Sequence, residues 1–278
     1  MTIRNLLMKN YLRIPYATSL LPSSLLARGI LSDGLMSRIC KAASLFSYGL
    51  EKKTKDLLKI DSKIRSSREL GTPQGQMLQD AWVISHAGTS AGYFLDVGAC
   101  HPKKYSNTWL LQHRYQWSGL LIEANDGLAA ILKADRSSNN VRVIEAAAGE
   151  VASEELLIEY GPLSSLQRTS QSDIYAKYRS KRNTTQNLKT VTVRTIAEIL
   201  ASENAPKFID FLSIDIEGAD LEVLKTFPFA EYQVRMICIE HNFNTKVQSG
   251  ITDFLSSLGY FQECKKWSSI DSWFVRSS

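Results

Sequence analysis

Five short apolar runs, at residues 93–99, 120–124, 141–147, 211–216 and 236–240, alternate with segments of helical spacing such as 125–134 and 219–226. This alternation is the strongest constraint on the fold. A run that is apolar at nearly every position must be buried on both faces, and short runs of that kind separated by helices predict a mostly parallel sheet with helices on both sides. Two last runs, at 260–264 and 272–275, flank Lys266-Trp267-Ser268-Ser269 and predict an antiparallel hairpin closing the sheet. The expected class is α/β, with the main domain over residues 76–278. Residues 164–190 break the pattern. They hold Arg168, Lys177, Arg179, Lys181, Arg182 and Lys189 against only Asp173, and they predict a long basic excursion or lid.

The ends of the runs carry the chemistry. The first closes on Phe94-Leu95-Asp96-Val97-Gly98-Ala99 and the second on Leu121-Ile122-Glu123, 25 residues past Gly98. Parallel-sheet proteins bind ligands at the carboxyl ends of their strands. An acid at the second strand end suits two ribose hydroxyls, and Gly98 allows a close backbone approach. Without a ligand, Asp96 would cap a turn and Glu123 would be a solvated strand end. The sequence contains neither GxGxxG nor GxxxxGK[ST], which argues against a dinucleotide cofactor and a P-loop. The fourth run reads Phe211-Leu212-Ser213-Ile214-Asp215-Ile216-Glu217-Gly218. If it is extended there, Asp215 and Glu217 project to one side. The fifth ends Ile239-Glu240-His241-Asn242 and adds an imidazole that titrates near neutrality.

These blocks, in this order, resemble the FkbM-type S-adenosylmethionine-dependent methyltransferases. The resemblance covers residues 78–275. It rests on the Asp96-Val97-Gly98 strand end, on Tyr105-Ser106-Asn107-Thr108, and on Trp117-Ser118-Gly119-Leu120-Leu121-Ile122-Glu123. It also rests on Ala146-Ala147-Ala148-Gly149, on Leu212-Ser213-Ile214-Asp215-Ile216-Glu217-Gly218-Ala219-Asp220 and on Ile239-Glu240-His241-Asn242. It implies a Rossmann-like class I fold with a seven-stranded sheet and S-adenosyl-L-methionine as cofactor. It places Asp96, Gly98, Ala99, Asn107, Glu123, Ala147 and Asp215 around that cofactor. Two departures stand out: Ala99-Cys100-His101-Pro102 lacks a second glycine, and Asn125 stands where a proline commonly follows the acid.

Methyl transfer to an alcohol needs positioning and a base. Asp215 and His241 are the candidate bases, and Glu217 is expected to orient the acceptor or cofactor. No resident metal is expected, although Asp215, Glu217 and His241 could alternatively hold Mg²⁺ or Mn²⁺. The resemblance implies O-methylation, often of sugar hydroxyls in glycans or natural products. The basic residues from Lys177 to Arg182 would suit an anionic acceptor, and a nucleic-acid partner is not expected. The competing readings are a non-catalytic docking protein that retains this fold, and a dehydrogenase.

Charge separates the N-terminal 75 residues from the rest. They hold 13 Lys/Arg against 5 Asp/Glu, while the remainder holds 20 against 23. The overall +5 is therefore a property of this arm. Ile3, Leu6, Leu7, Tyr11 and Ile14 fall at helical spacing, as do Leu35, Ile39, Ala42, Phe46 and Leu50. The arm is expected to be helical, either as a cap on the domain or as a basic amphipathic surface at a membrane. Arg4, Lys9 and Arg13 interrupt any signal-peptide core. No apolar run reaches the roughly 18 residues of a spanning helix. Cys40, Cys100, Cys238 and Cys264 contain no CxxC pair, and a reducing, cytoplasmic setting is expected. With 44% hydrophobic and 22% charged residues, collagen, disordered chains and disulfide miniproteins are excluded.

Overall fold

The computed structural model describes residues 73–277 apart from 89, 160, 162, 170–186, 266, 267 and 269. The arm at 1–72 and the basic segment from Lys177 to Arg182 lie outside the described residues. The chain runs α1 (Gln79–Ala87), β1 (Tyr93–Val97), α2 (Trp109–Tyr115), β2 (Ser118–Glu123), α3 (Asp126–Arg136), β3 (Val141–Glu145), β4 (Ala147–Ala148), β5 (Ser153–Glu159), β6 (Ser165–Leu166), β7 (Asn187–Arg194), α4 (Ile196–Ser202), β8 (Phe208–Ile214), α5 (Asp220–Thr226), β9 (Gln233–Glu240), α6 (Thr245–Ser257), β10 (Tyr260–Glu263) and β11 (Asp271–Arg276). Among the described residues no helix is long and apolar enough to cross a membrane.

The main sheet has seven strands in the order β10-β11-β9-β8-β1-β2-β3. β1, β2, β3, β8 and β9 are parallel, and β11 inserts antiparallel between β9 and β10. This is the mostly parallel sheet with an antiparallel C-terminal hairpin that the apolar runs predict. Alternation along the strands divides the core. Leu95, Val97, Leu212, Ile214 and Phe274 pack with Ile199 of α4, Val223 of α5 and Leu255 of α6. Their neighbours turn the other way, and there Trp82 of α1 meets Phe211 and Trp273 with ring centroids 6.4 and 5.2 Å away.

Helix starts follow local chemistry. Asn125 caps α3, its side chain accepting from the Leu128 N–H, and Thr195 and Glu198 form a reciprocal capping box on α4. Residues 74 and 75 belong to the folded unit. The Gln74 N–H donates to Asp80 Oδ2 at 2.6 Å and Gly75 bridges Tyr105. A domain fragment for binding work therefore keeps residues 73–75.

A second sheet, β4-β7-β5-β6, is the main departure from the sequence reading. Seven antiparallel pairs join β5 to β7, from Ser153↔Val193 to Glu159↔Asn187. Both described ends of the expected excursion, Ser165–Leu166 and the start of β7, are therefore strands. Ala147, Leu157, Leu166, Val191 and Val193 form its small core. Apolar residues are sparse in β5 and β7, and β4 and β6 are only two residues long, so periodicity alone does not reveal this sheet.

Buried carboxylates contribute to the pH dependence of this fold, Asp80 and Asp271 among them. Burial pushes Asp80 in the first turn of α1 and Asp271 on β11 each up to about 6. Each binds its proton more tightly folded than unfolded. The associated stability is present below about pH 4 and is lost as pH rises through about 6. The thermal midpoint is expected to rise as pH falls from 7.5 to 5.5, by roughly 0.8 kcal/mol per group over that window, with the full amount of about 3 kcal/mol reached only below about pH 4. Asp80→Asn should flatten that slope in melts followed by circular dichroism. An unchanged slope in the variant would remove Asp80 as a contributor.

Candidate active site

A cleft enclosing about 580 Å³ and open to solvent lies at the carboxyl ends of β1, β2 and β8. Glu123 closes β2 at its centre, only 7% exposed. Its Oε2 accepts from Cys100 N at 2.9 Å and its Oε1 from Asn125 N at 2.8 Å. Burial pushes the carboxyl up, and those backbone donors pull it back down. The carboxylate is thus held in one orientation, with lone pairs left for further donors. Ala146, Ala147, Leu128, Leu157 and Leu166 make the apolar wall of the cleft. Leu157 and Leu166 face each other across β5 and β6, so the second sheet supplies part of the binding wall.

The other wall carries Asp215 and Glu217. β8 ends at Ile214, so strand periodicity does not align these two acids. A turn does so: Glu217 has φ +56° and Gly218 φ +113°, and Asp220 accepts from Ile216 N at 3.0 Å and Gly218 N at 2.9 Å. Asp215 is raised above the usual carboxylate range, first by burial and then by the charge of Asp271. Glu240, at the end of β9, is raised well above that range by burial and by Asp215. Asp215, Glu217 and Glu240 present oxygens that all lie within 4.8 Å of one another.

The other predicted site residues divide. Gly98 lines the cleft, but its main requirement is different. A Cβ there would lie 1.8 Å from the Asp215 carbonyl oxygen, and its φ is +86°, so it permits the close crossing of the β1 and β8 ends. Ala147 lines the apolar wall, whereas Ala99, Asp96 and Asn107 do not line the cleft. Asp96 is buried and accepts from Thr108 Oγ1 at 2.7 Å. Asn107 donates to Ser213 Oγ at 2.9 Å. Thus Asp96 and Asn107 brace the strands beneath the site.

His241 is set apart from the other predicted bases. It is 4% exposed and lies off the cleft lining. Its Nδ1 accepts from Phe243 N at 3.1 Å and its Nε2 lies 2.9 Å from the Asp271 carbonyl. These partners fix the tautomer with hydrogen on Nε2 and leave neither nitrogen for an acceptor proton. Burial also pushes its pKa down. The geometry therefore favours a bracing role and puts Glu240, which the candidate set omitted, in the acid cluster instead. Glu240 was visible in the same motif. The missing signal was proximity, because β9 lies next to β8 in the sheet.

The cleft has the parts an adenosine-type sulfonium cofactor needs: an apolar slot for a flat base, a fixed carboxylate for vicinal hydroxyls and an acidic far wall. The sheet order and this strand-end cleft define a Rossmann-like class I methyltransferase. The family profile described as "Methyltransferase FkbM domain" matches residues 96–263. The chain belongs to that methyltransferase family. Comparison with curated proteins gives no match. Among solved structures, the METTL16 MTase domain is similar at 14% identity and a TM-score of 0.41, over 72% of this chain and 66% of that one. The N-terminal domain of human METTL16 in complex with SAH is similar at 14% identity and a TM-score of 0.39, over 73% and 70%. This chain thus spans just under two thirds of the first of these domains.

Proposed function

We propose that the chain methylates a hydroxyl oxygen of a polyhydroxylated acceptor, such as a sugar unit of a glycan or natural product. The observation that carries this reading is the acidic far wall, where Asp215 and Glu217 meet the cleft. S-adenosylmethionine supplies an electrophilic methyl group on sulfur. Glu123 would hold the ribose hydroxyls, and the wall of Ala146, Ala147, Leu128 and Leu157 would take the adenine. Asp215 is placed to draw the acceptor proton, and its raised affinity for protons brings it nearer to the matching range for a general base. Glu217 would orient the acceptor. The acidity of this wall disfavours a polyanionic acceptor, since like charges in a partly buried cleft repel. That supports the expectation of no nucleic-acid partner.

Calorimetry with S-adenosylhomocysteine tests the cofactor half. Glu123→Ala is expected to weaken binding about 10- to 100-fold, the cost of losing a buried acceptor. Affinity equal to wild type would reject the ribose assignment. A screen of nucleotide sugars and neutral glycans for methyl incorporation tests the acceptor half. Incorporation only into RNA would overturn it.

A further inference from the structure

Asp215, Asp220, Glu240 and Asp271 are crowded around the ends of β8 and β9, where Asp271 of β11 stands opposite Glu240 and the oxygens of Asp215, Glu217 and Glu240 lie within 4.8 Å of one another. No ion pair joins any of these four to a described Lys, Arg or His. Buried carboxylates at this density must be neutralised, either by protons or by a positive charge held among them. A separate observation concerns Asn242. Its residue is 7% exposed, and its Nδ2 donates to Glu240 Oε2 at 2.5 Å. Its Oδ1 is buried and has no hydrogen-bond partner. Both amide atoms sit on one carbon, so that bare carbonyl oxygen stays within a few ångströms of the Glu240 carboxylate. Buried acceptors without a partner are rare and call for an explanation.

We propose that Asp215 and Glu217 on the cleft wall, with the buried Glu240 and the side-chain carbonyl of Asn242 behind them, form a divalent-cation site. All the donors are oxygens, which selects a hard ion such as Mg²⁺, Mn²⁺ or Ca²⁺. The 4.8 Å spread compares with the roughly 4–5 Å between opposite oxygens around such an ion. The inference rests on the methyl-transfer reading and gives the acid wall a second role. The cation would bind the acceptor hydroxyl and make its proton more acidic, as it does for bound water. The proton passes to the second oxygen of Asp215 and from there to solvent, the oxygen forms the O–CH₃ bond, and the C–S pair stays on sulfur, which becomes a neutral thioether. A cation here also favours acceptors with two adjacent hydroxyls.

The test is Mn²⁺ binding to the full chain by electron paramagnetic resonance, with S-adenosylhomocysteine present and no acceptor. Saturable binding is expected, displaced by excess Mg²⁺ or Ca²⁺. Glu240→Gln and Asn242→Ala should each weaken it at least tenfold, while the exposed Glu231→Gln should not. Circular dichroism and S-adenosylhomocysteine affinity show that the variants are folded. Failure to bind Mn²⁺ at millimolar concentration, or equal binding in wild type and both site variants, would overturn the site. If cofactor binding persists in that case, the methyltransferase reading stands and only the cation is lost.

Discussion

Replacing Arg136 by Met is expected to lower the free energy of unfolding by about 3–5 kcal/mol, the usual cost of breaking a buried charge network from one side. Arg136 is fully buried at the end of α3, and burial brings its pKa down to about 10. Its guanidinium donates to the Pro102 carbonyl at 2.8 Å, to Ser106 Oγ at 3.1 Å and to Thr108 Oγ1 at 3.2 Å. A further bond runs from Nε to Gln112 Oε1. Thr108 in turn donates to Asp96, so the cation balances the buried acid of β1 through one hydroxyl. Met fills much of the volume but leaves Asp96 charged without its counterion. Urea denaturation measures the loss, and Arg136→Met/Asp96→Asn should recover part of it. A loss below about 1 kcal/mol in the single variant, the surface-pair range, would show that the network contributes little.

Asp215→Asn is expected to reduce turnover by about 10²–10⁴-fold, the range for removing a general base, with cofactor affinity changed far less. The carboxylate lines the cleft, and an isosteric amide keeps its volume, so the adenosine contacts should stay in place. His241→Gln gives the contrast. With both ring nitrogens tied to backbone groups, its loss should cost stability, of order 1–3 kcal/mol, and leave the pH profile of turnover unchanged. Single-turnover methyl transfer with a screened acceptor measures both. Asp215→Asn with near-wild-type turnover, or His241→Gln with a shifted pH profile, would reverse these roles.

The architecture was legible because burial writes itself into a strand locally. Residues 93–99 and 211–216 are apolar at nearly every position since both faces of the sheet are covered, and that needs no knowledge of the neighbours. Glu123 was legible for a similar reason: one acid ending an apolar strand has few places to point. The second sheet was not legible. Ser165–Leu166 is two residues long, and its partner β5 alternates weakly, so neither produces a period. Gly98 stands out in the sequence as a turn glycine, but its steric constraint comes from the Asp215 carbonyl just past the end of β8, more than a hundred residues away.

The sequence by itself determined the fold class, the strand-end location of the cleft and the acids at its rim, because apolar periodicity and strand-end chemistry are local. Only the tertiary structure decided which acids act together. Asp215 and Glu217 share a wall through a left-handed turn braced by Asp220, not through strand alternation. Glu240 joins them because β9 pairs with β8. His241 is withdrawn because Asp271 and Phe243 happen to meet both its nitrogens. Asp96 is buried, and Arg136, forty residues on, reaches it through Thr108. Each of these depends on what stands opposite a side chain in space, and a hydrogen bond of under 3 Å can be made or lost with no trace in the residues on either side.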